Sequence, residues 1–126
     1  MGLAKMSTKT LTKTLISLAL LSASLAGTAA FADPIASQDA VRYIGETATV
    51  TGRATLTFMP SGEIYIDLDG RNDSAPLSGF ISRWNRPRFQ DMSALNGKEI
   101  ALSGRIDTFR GRPEIVLQDP GQIAAK

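Results

Sequence analysis

The sequence contains no cysteine and no histidine among its 126 residues, and aromatic side chains make up only 6% of it. Without cysteine there is neither a disulfide framework nor a thiolate nucleophile. Without histidine there is no Ser-His-Asp triad, and lacking both the chain has no ordinary zinc site. Much of enzyme chemistry is excluded with them. Residues 1–32 also lack any acid, carrying Lys5, Lys9 and Lys13 with nothing to balance them. Setting those three aside from the 14 basic residues leaves 11 against 12 acids in residues 33–126, a net charge of −1 where the whole chain has +2. The basic character of the chain therefore belongs to its first 32 positions.

What those positions do contain is the pattern of a secretory signal peptide. A Lys-bearing start is followed by an apolar run from Leu15 to Ala26 and then by Ala30-Phe31-Ala32, which fits small-x-small cleavage. Cleavage there makes Asp33 the N-terminus. A membrane anchor is the rival reading, but Ser17, Ser22 and Ser24 interrupt the run, which falls short of the roughly 20 residues that span a bilayer. The missing cysteine excludes a bacterial lipoprotein anchor. Met6, followed by Ser7-Thr8-Lys9, serves equally well as the initiator and leaves the cleaved chain unchanged. The expectation is one domain over residues 33–126, periplasmic or secreted, with no membrane insertion after cleavage. A chain of that size buries only about 60–65% of its unfolded surface, enough for one small core.

Residues 33–45 suggest a short helix, with Ser37 as cap, Ala40, Val41 and Ile44 near one face, and Gly45 as its stop. From Ala48 to Phe58 the even positions are apolar or glycine and the odd ones are Thr49, Thr51, Arg53, Thr55 and Thr57. That unbroken alternation predicts a strand with one buried face. Met59-Pro60-Ser61-Gly62 then turns the chain into a second strand, Glu63 to Asp69, with Ile64, Ile66 and Leu68 inward and Glu63, Tyr65, Asp67 and Asp69 outward. A third strand, Leu77 to Ser82, places Leu77, Gly79 and Ile81 on one side. Phe89, Met92 and Leu95 recur at spacing three, which suits one or two helical turns after Pro87. The fourth strand, Lys98 to Thr108, has Ile100, Leu102, Gly104 and Ile106 inward, and the fifth, Pro113 to Gln118, has Ile115 and Leu117 inward. Asp119-Pro120-Gly121 is read as closing the domain.

Three strands, a short helix and two strands is the element order of an all-β, five-stranded OB-type Greek-key barrel with a short helix between strands three and four. Gly52 and Gly104 fall at inward positions in the middle of long strands, where a barrel strand must bend. Patterning alone also allows a small open sheet or another barrel.

The segments Tyr43 to Gly52, Leu95-Asn96-Gly97-Lys98-Glu99-Ile100 leading to Gly104-Arg105-Ile106, Phe109-Arg110-Gly111-Arg112-Pro113-Glu114-Ile115, and Asp119-Pro120-Gly121-Gln122-Ile123 carry a resemblance. Together they look like the OB-fold nucleic-acid-binding-like domains of small secreted bacterial proteins. In that group a Gly-Lys strand start precedes an aromatic-Arg-Gly-x-Pro-Glu-Ile turn and an Asp-Pro-x-Gln-Ile ending. The resemblance covers nearly all of residues 33–126 and implies an OB barrel. It marks no residue as catalytic, and its nucleic-acid label rests on fold analogy.

Nine of the eleven basic residues after position 32 are arginine, with Arg83, Arg86 and Arg88 around Trp84, and Arg110 and Arg112 in the last hairpin. Guanidinium groups bind phosphate or carboxylate in a bidentate way and stack on planar groups. In an OB barrel the loops joining strands one to two and four to five flank the usual binding face, which gathers Phe58, Met59, Phe109, Arg110 and Arg112. Tyr65 on strand two supplies a stacking platform. The expected ligand-binding set is therefore Phe58, Tyr65, Arg83, Trp84, Arg86, Arg88, Phe109, Arg110 and Arg112, taking single-stranded nucleic acid or another anionic ligand. The bland reading pairs these arginines with the acids of an ordinary surface.

Near-zero charge, the outward acids Glu63, Asp67 and Asp69 beside Tyr65, and an envelope compartment all weigh against a nucleic-acid ligand. A protein-interaction or envelope-stress accessory domain is the alternative. Asp67, Asp69, Asn72 and Asp73 resemble part of a calcium loop, but position 78 is Ser where a bidentate Glu is needed. No metal, cofactor or catalytic activity is expected. Trp84 is read as covering one end of the barrel in preference to standing exposed.

Overall fold

The computed structural model describes residues 33–126; the signal-peptide assignment lies outside the described residues. Seven strands follow in order: β1 (Ile35–Ala36), β2 (Thr47–Phe58), β3 (Ile64–Leu68), β4 (Leu77–Ile81), β5 (Glu99–Phe109), β6 (Arg112–Val116) and β7 (Ile123–Ala125). Pairing runs β2-β3-β4-β6-β5 and returns from β5 to β2, which closes a barrel. Within the ring, β4 and β6 are parallel and every other pair is antiparallel. This is an all-β, closed five-stranded barrel of OB-like topology.

The two long strands serve two sides of the ring each. Thr47–Arg53 of β2 pairs with β5, and from Ala54 to Phe58 the same strand pairs with β3. Likewise β5 pairs with β2 up to Arg105 and with β6 from Ile106 to Phe109. Gly52 and Gly104 sit at these changes of partner. A Cβ at Gly52 would stand 2.5 Å from a carboxylate oxygen of Asp69, and one at Gly104, where φ is +155°, would stand 2.8 Å from Ile115 Cγ2. The bends predicted from the sequence are therefore places where a side chain would force its neighbours to shift.

The inward alternation is borne out. Val50, Ile66, Leu68, Leu77, Ile81, Ile100, Leu102, Ile106, Ile115 and Leu117 are all fully buried. Among the described residues the core is one cluster inside the closed barrel, and Asp33–Lys126 form one compact unit. Between β4 and β5 the helical segment consists of two single 3₁₀ turns, Arg86–Arg88 and Ser93–Leu95. Met92 is buried, and Phe89 and Leu95 lean on the core.

Three expectations need correction. Residues Ser37–Tyr43 form a 3₁₀ helix, and Ser37 is its first residue, not its cap. With three residues per turn, Ser37, Ala40 and Tyr43 share a face; Ser37 and Ala40 are buried and Tyr43 packs on the core, while Val41 and Ile44 are exposed. The 3.6-residue periodicity of an α-helix picked Ala40 correctly but took Val41 and Ile44 where Ser37 and Tyr43 pack. Asp67, expected outward in solvent, is 4% exposed because Ser78 Oγ and the Asn72 N–H both donate to it. Finally, the chain does not finish at Asp119-Pro120-Gly121. Asp119 caps the turn Pro120–Gln122, which redirects the chain into β7 along β5. With β1 lying parallel on β2, two short strands flank the barrel that were too short to show alternation.

Candidate functional site

On the outer face of β3, β4 and β6 the register lines up two rows of side chains. Tyr65 lies opposite Phe80, which lies opposite Val116; Asp67 lies opposite Ser78, which lies opposite Glu114. The first row is an aromatic and apolar strip, with the Tyr65 and Phe80 ring centroids 5.2 Å apart and tilted by 47°, a favourable cross-strand arrangement. The second row is acidic and extends to Asp107, opposite Glu114 on β5. Alternation put these side chains on one face; pairing across four strands made them neighbours.

The β2–β3 and β5–β6 hairpins rise over this face and enclose a cleft of about 430 Å³. Thr57 and Met59 line it from one hairpin, and Phe109, Arg110 and Arg112 from the other. Tyr65 and Glu114 form part of its floor, and Asn72 and Asp73 contribute from the loop after β3. Of the residues expected to bind ligand, Tyr65, Phe109, Arg110 and Arg112 meet here.

The two hairpin arginines are held differently. Arg112 donates to the Asn72 carbonyl and reaches the Asp73 carboxylate at 3.6 Å, tying its hairpin to the β3–β4 loop. Asn72 itself has φ of 50°, a left-handed conformation that asparagine tolerates. Arg110 also has a left-handed φ, 52°, and lies with its guanidinium 5.2 Å from the centre of the Phe109 ring. No carboxylate pairs with it among the described residues. Burial pushes the Glu114 carboxyl above its ordinary range; the Arg112 charge opposes that shift and Asp107 adds to it.

The remaining expected residues do not line the cleft. The Phe58 ring faces Arg86, 5.8 Å from its guanidinium, and Arg86 also donates to the Gly62 carbonyl. Arg83 lies 4.5 Å over the Trp84 ring, and Arg88 donates to the Gln118 carbonyl. Trp84 is 76% exposed and does not cap the barrel. Phe89, Met92 and Leu95 already lean on the core from the segment that follows. A turn in which Asn85 and Arg86 N–H groups donate to Ser82 carries Trp84 outward beyond β4.

Asn72, Asp73 and Glu114 were not among the expected site residues. Glu114 was legible as the outward neighbour of Ile115, two positions from Arg112. Asn72 and Asp73 were not, because a loop has no period to follow. The calcium-like acids are engaged in the fold: Asp69 accepts from Ser37 Oγ and from the Arg53 N–H, Asp67 accepts as above, and Asp73 pairs with Arg112.

No family model matches the chain. None of the curated proteins matches it either. Among solved structures it is similar to a Leishmania major Friedlin chain described as an aspartyl-tRNA synthetase, at 9% sequence identity and a TM-score of 0.49. That match covers 74% of this chain and 20% of the other, so this chain spans about a fifth of that protein's length.

Proposed function

We propose that residues 33–126 are a non-catalytic binding module of the periplasm or extracellular space that takes a short stretch of single-stranded nucleic acid in the cleft between the two hairpins. The observation that carries the reading is Arg110, a guanidinium with no ion-paired acid among the described residues, resting on the exposed Phe109 ring at the cleft wall. A base stacks on Phe109 or on the Tyr65 strip, and Arg110 meets the adjoining phosphate. Asp73 and Glu114 face the same space and limit how much backbone can be followed. The ligand is thus gripped by one or two phosphates, not along an extended basic track. The compartment rests on the leader pattern of residues 1–32.

Titrating a fluorescent oligothymidylate at several salt concentrations tests this. The log-affinity against log-salt slope should have a magnitude of about 0.7 per phosphate contact, so about 0.7–1.4 in total. Arg110→Ala should reduce it by about 0.7. Absence of binding at low salt ends the reading. The second reading is a protein-interaction domain, and the observation favouring it is the cleft's charge: Asp67, Asp73 and Glu114 against Arg110 and Arg112. A protein partner matched to those mixed charges leaves the oligothymidylate unbound at low salt, which separates the two.

A further inference from the structure

Outside the cleft, the prominence formed by Phe58 and the segment Arg83–Arg88 has no role in the reading above. From Ser74 to Gln90 the sequence contains no acid, yet it holds Arg83, Arg86, Arg88, Phe80, Phe89 and the chain's one tryptophan. Trp84 is 76% exposed and Phe58 43%. Each of the two rings has a guanidinium over it, Arg83 on Trp84 and Arg86 on Phe58. Arg86 and Arg88 donate to the backbone carbonyls of Gly62 and Gln118, contacts that leave the positive charge uncompensated. None of the three arginines is ion-paired among the described residues. Glu63 lies near enough for Arg83 to help lower its carboxyl, after the hydrogen bond from Ser61 and that from its own backbone.

We propose that this prominence is an interfacial contact for an anionic phospholipid surface. Tryptophan favours the boundary between hydrocarbon and water, because its ring is apolar and its N–H is polar. Arginine beside it reaches the headgroup phosphates while its methylenes stay on apolar surface. The shape favours a bilayer over an acidic peptide: these side chains line neither of the two described concavities, and an extended peptide needs a groove whereas a membrane surface accepts a projecting tip. The contact is peripheral and spans nothing.

The polypeptide 33–126 is the material for the test, since the apolar run of the leader would itself adsorb to lipid. Its single tryptophan is Trp84, so emission reports this site alone. Vesicles of phosphatidylcholine with roughly a third phosphatidylglycerol should shift Trp84 emission to the blue and carry the protein down on sedimentation. Pure phosphatidylcholine should do neither. Each arginine near the surface is worth about fivefold in partition, so Arg83→Gln, Arg86→Gln and Arg88→Gln together should lower binding about a hundredfold. Trp84→Ser should release the protein from the sedimented vesicles while its thermal melt stays that of the parent. Arg110→Ala should leave vesicle binding unchanged, which keeps this proposal separate from the cleft. Equal binding to neutral and anionic vesicles overturns it, as does an unshifted emission with anionic vesicles. A blue shift with polyglutamate and none with vesicles overturns it in favour of an acidic protein partner.

Discussion

The molecule uses the same two residue types in two places to opposite ends. In the β5–β6 hairpin, arginine and aromatic residues stand at the wall of a cleft, and one of the two arginines is built into the fold through Asn72 and Asp73. In the segment Arg83–Arg88 they project, and their polar contacts end on carbonyls. The difference lies in what the neighbouring strands offer. The outer face of β3, β4 and β6 sets acids beside the hairpin, so its charge is balanced and its geometry concave. The acid-free stretch after β4 meets the β2–β3 hairpin and Gln118 through carbonyls and the Phe58 ring. Composition alone treats these as one arginine-aromatic set, and only acceptors and shape divide them.

The strongest way to break the comparison is to remove the barrel on which both regions stand. Gly104→Val puts a branched side chain where a Cβ already meets Ile115 at 2.8 Å and where φ is +155°. Overpacking and backbone strain together should cost about 2–3 kcal/mol, seen as a urea midpoint well below the parent's. Oligonucleotide and vesicle binding should fall together near that midpoint. Separating the two regions needs a smaller cut. Asp67→Ala leaves the Ser78 hydroxyl and the Asn72 N–H without their acceptor at a site only 4% exposed, for about 2 kcal/mol. The β3–β4 loop that receives Arg112 loosens with it. Oligonucleotide binding should drop while vesicle binding holds, and parallel titrations that show equal losses would mean the two regions are coupled.

This division explains how far the sequence could be read. Alternation in residues 48–58 and 98–108 was enough to identify the buried face and the two bending glycines, because a strand's period is local and its burial follows directly from it. The same rule failed at Ser37–Tyr43, where a 3₁₀ helix repeats every three residues and buries Ser37 where an α-helical reading chose Val41. It failed again at Asp67, whose outward position was read correctly and whose burial depends on Ser78 and Asn72 arriving from elsewhere. For the site, loop topology grouped Phe109, Arg110 and Arg112, the outward face of strand two added Tyr65, and these four line one cleft. Phe58, Arg83, Trp84, Arg86 and Arg88 were placed with them, but Phe58 alternates to the other side of its hairpin from Thr57 and Met59, and the segment after β4 lies on that side, with Arg86 on Phe58 and on the Gly62 carbonyl.

Within the cleft, the contrast between the hairpin arginines sharpens further. Arg112→Ala removes a half-exposed ion pair and a carbonyl contact and should cost about 0.5–1 kcal/mol of stability along with affinity. Arg110→Ala should leave the melting temperature unchanged and weaken only oligonucleotide binding. If both variants melt like the parent, Arg112 does not hold its hairpin to the β3–β4 loop.

The smallest effect concerns pH. Glu114 belongs to the acidic row with Asp67 and Asp107 and faces the space where a phosphate is placed. Burial lifts its carboxyl above the ordinary range, with Arg112 opposing and Asp107 adding. A carboxyl raised in the folded state binds a proton more readily there than in the unfolded chain, so its contribution to stability is present below the ordinary range and is lost as pH rises through the raised value. Glu63 and Asp91 are shifted the other way, by hydrogen bonds from Ser61 and from the Ser93 N–H, so their contribution is lost as pH falls. Melting temperature therefore mixes opposite signs, and ligand affinity is the cleaner measurement. Lowering the pH into the window just above the ordinary carboxylate range neutralises Glu114 and removes one repulsion toward an anionic ligand. Oligonucleotide affinity should rise about two- to threefold, the yield of less than ~1 kcal/mol of partly screened charge. Glu114→Gln should bind with that higher affinity at neutral pH and show a flatter profile across the window, while its vesicle binding follows the parent's at every pH. A variant whose pH profile matches the parent's in both assays would remove Glu114 from the cleft's electrostatics.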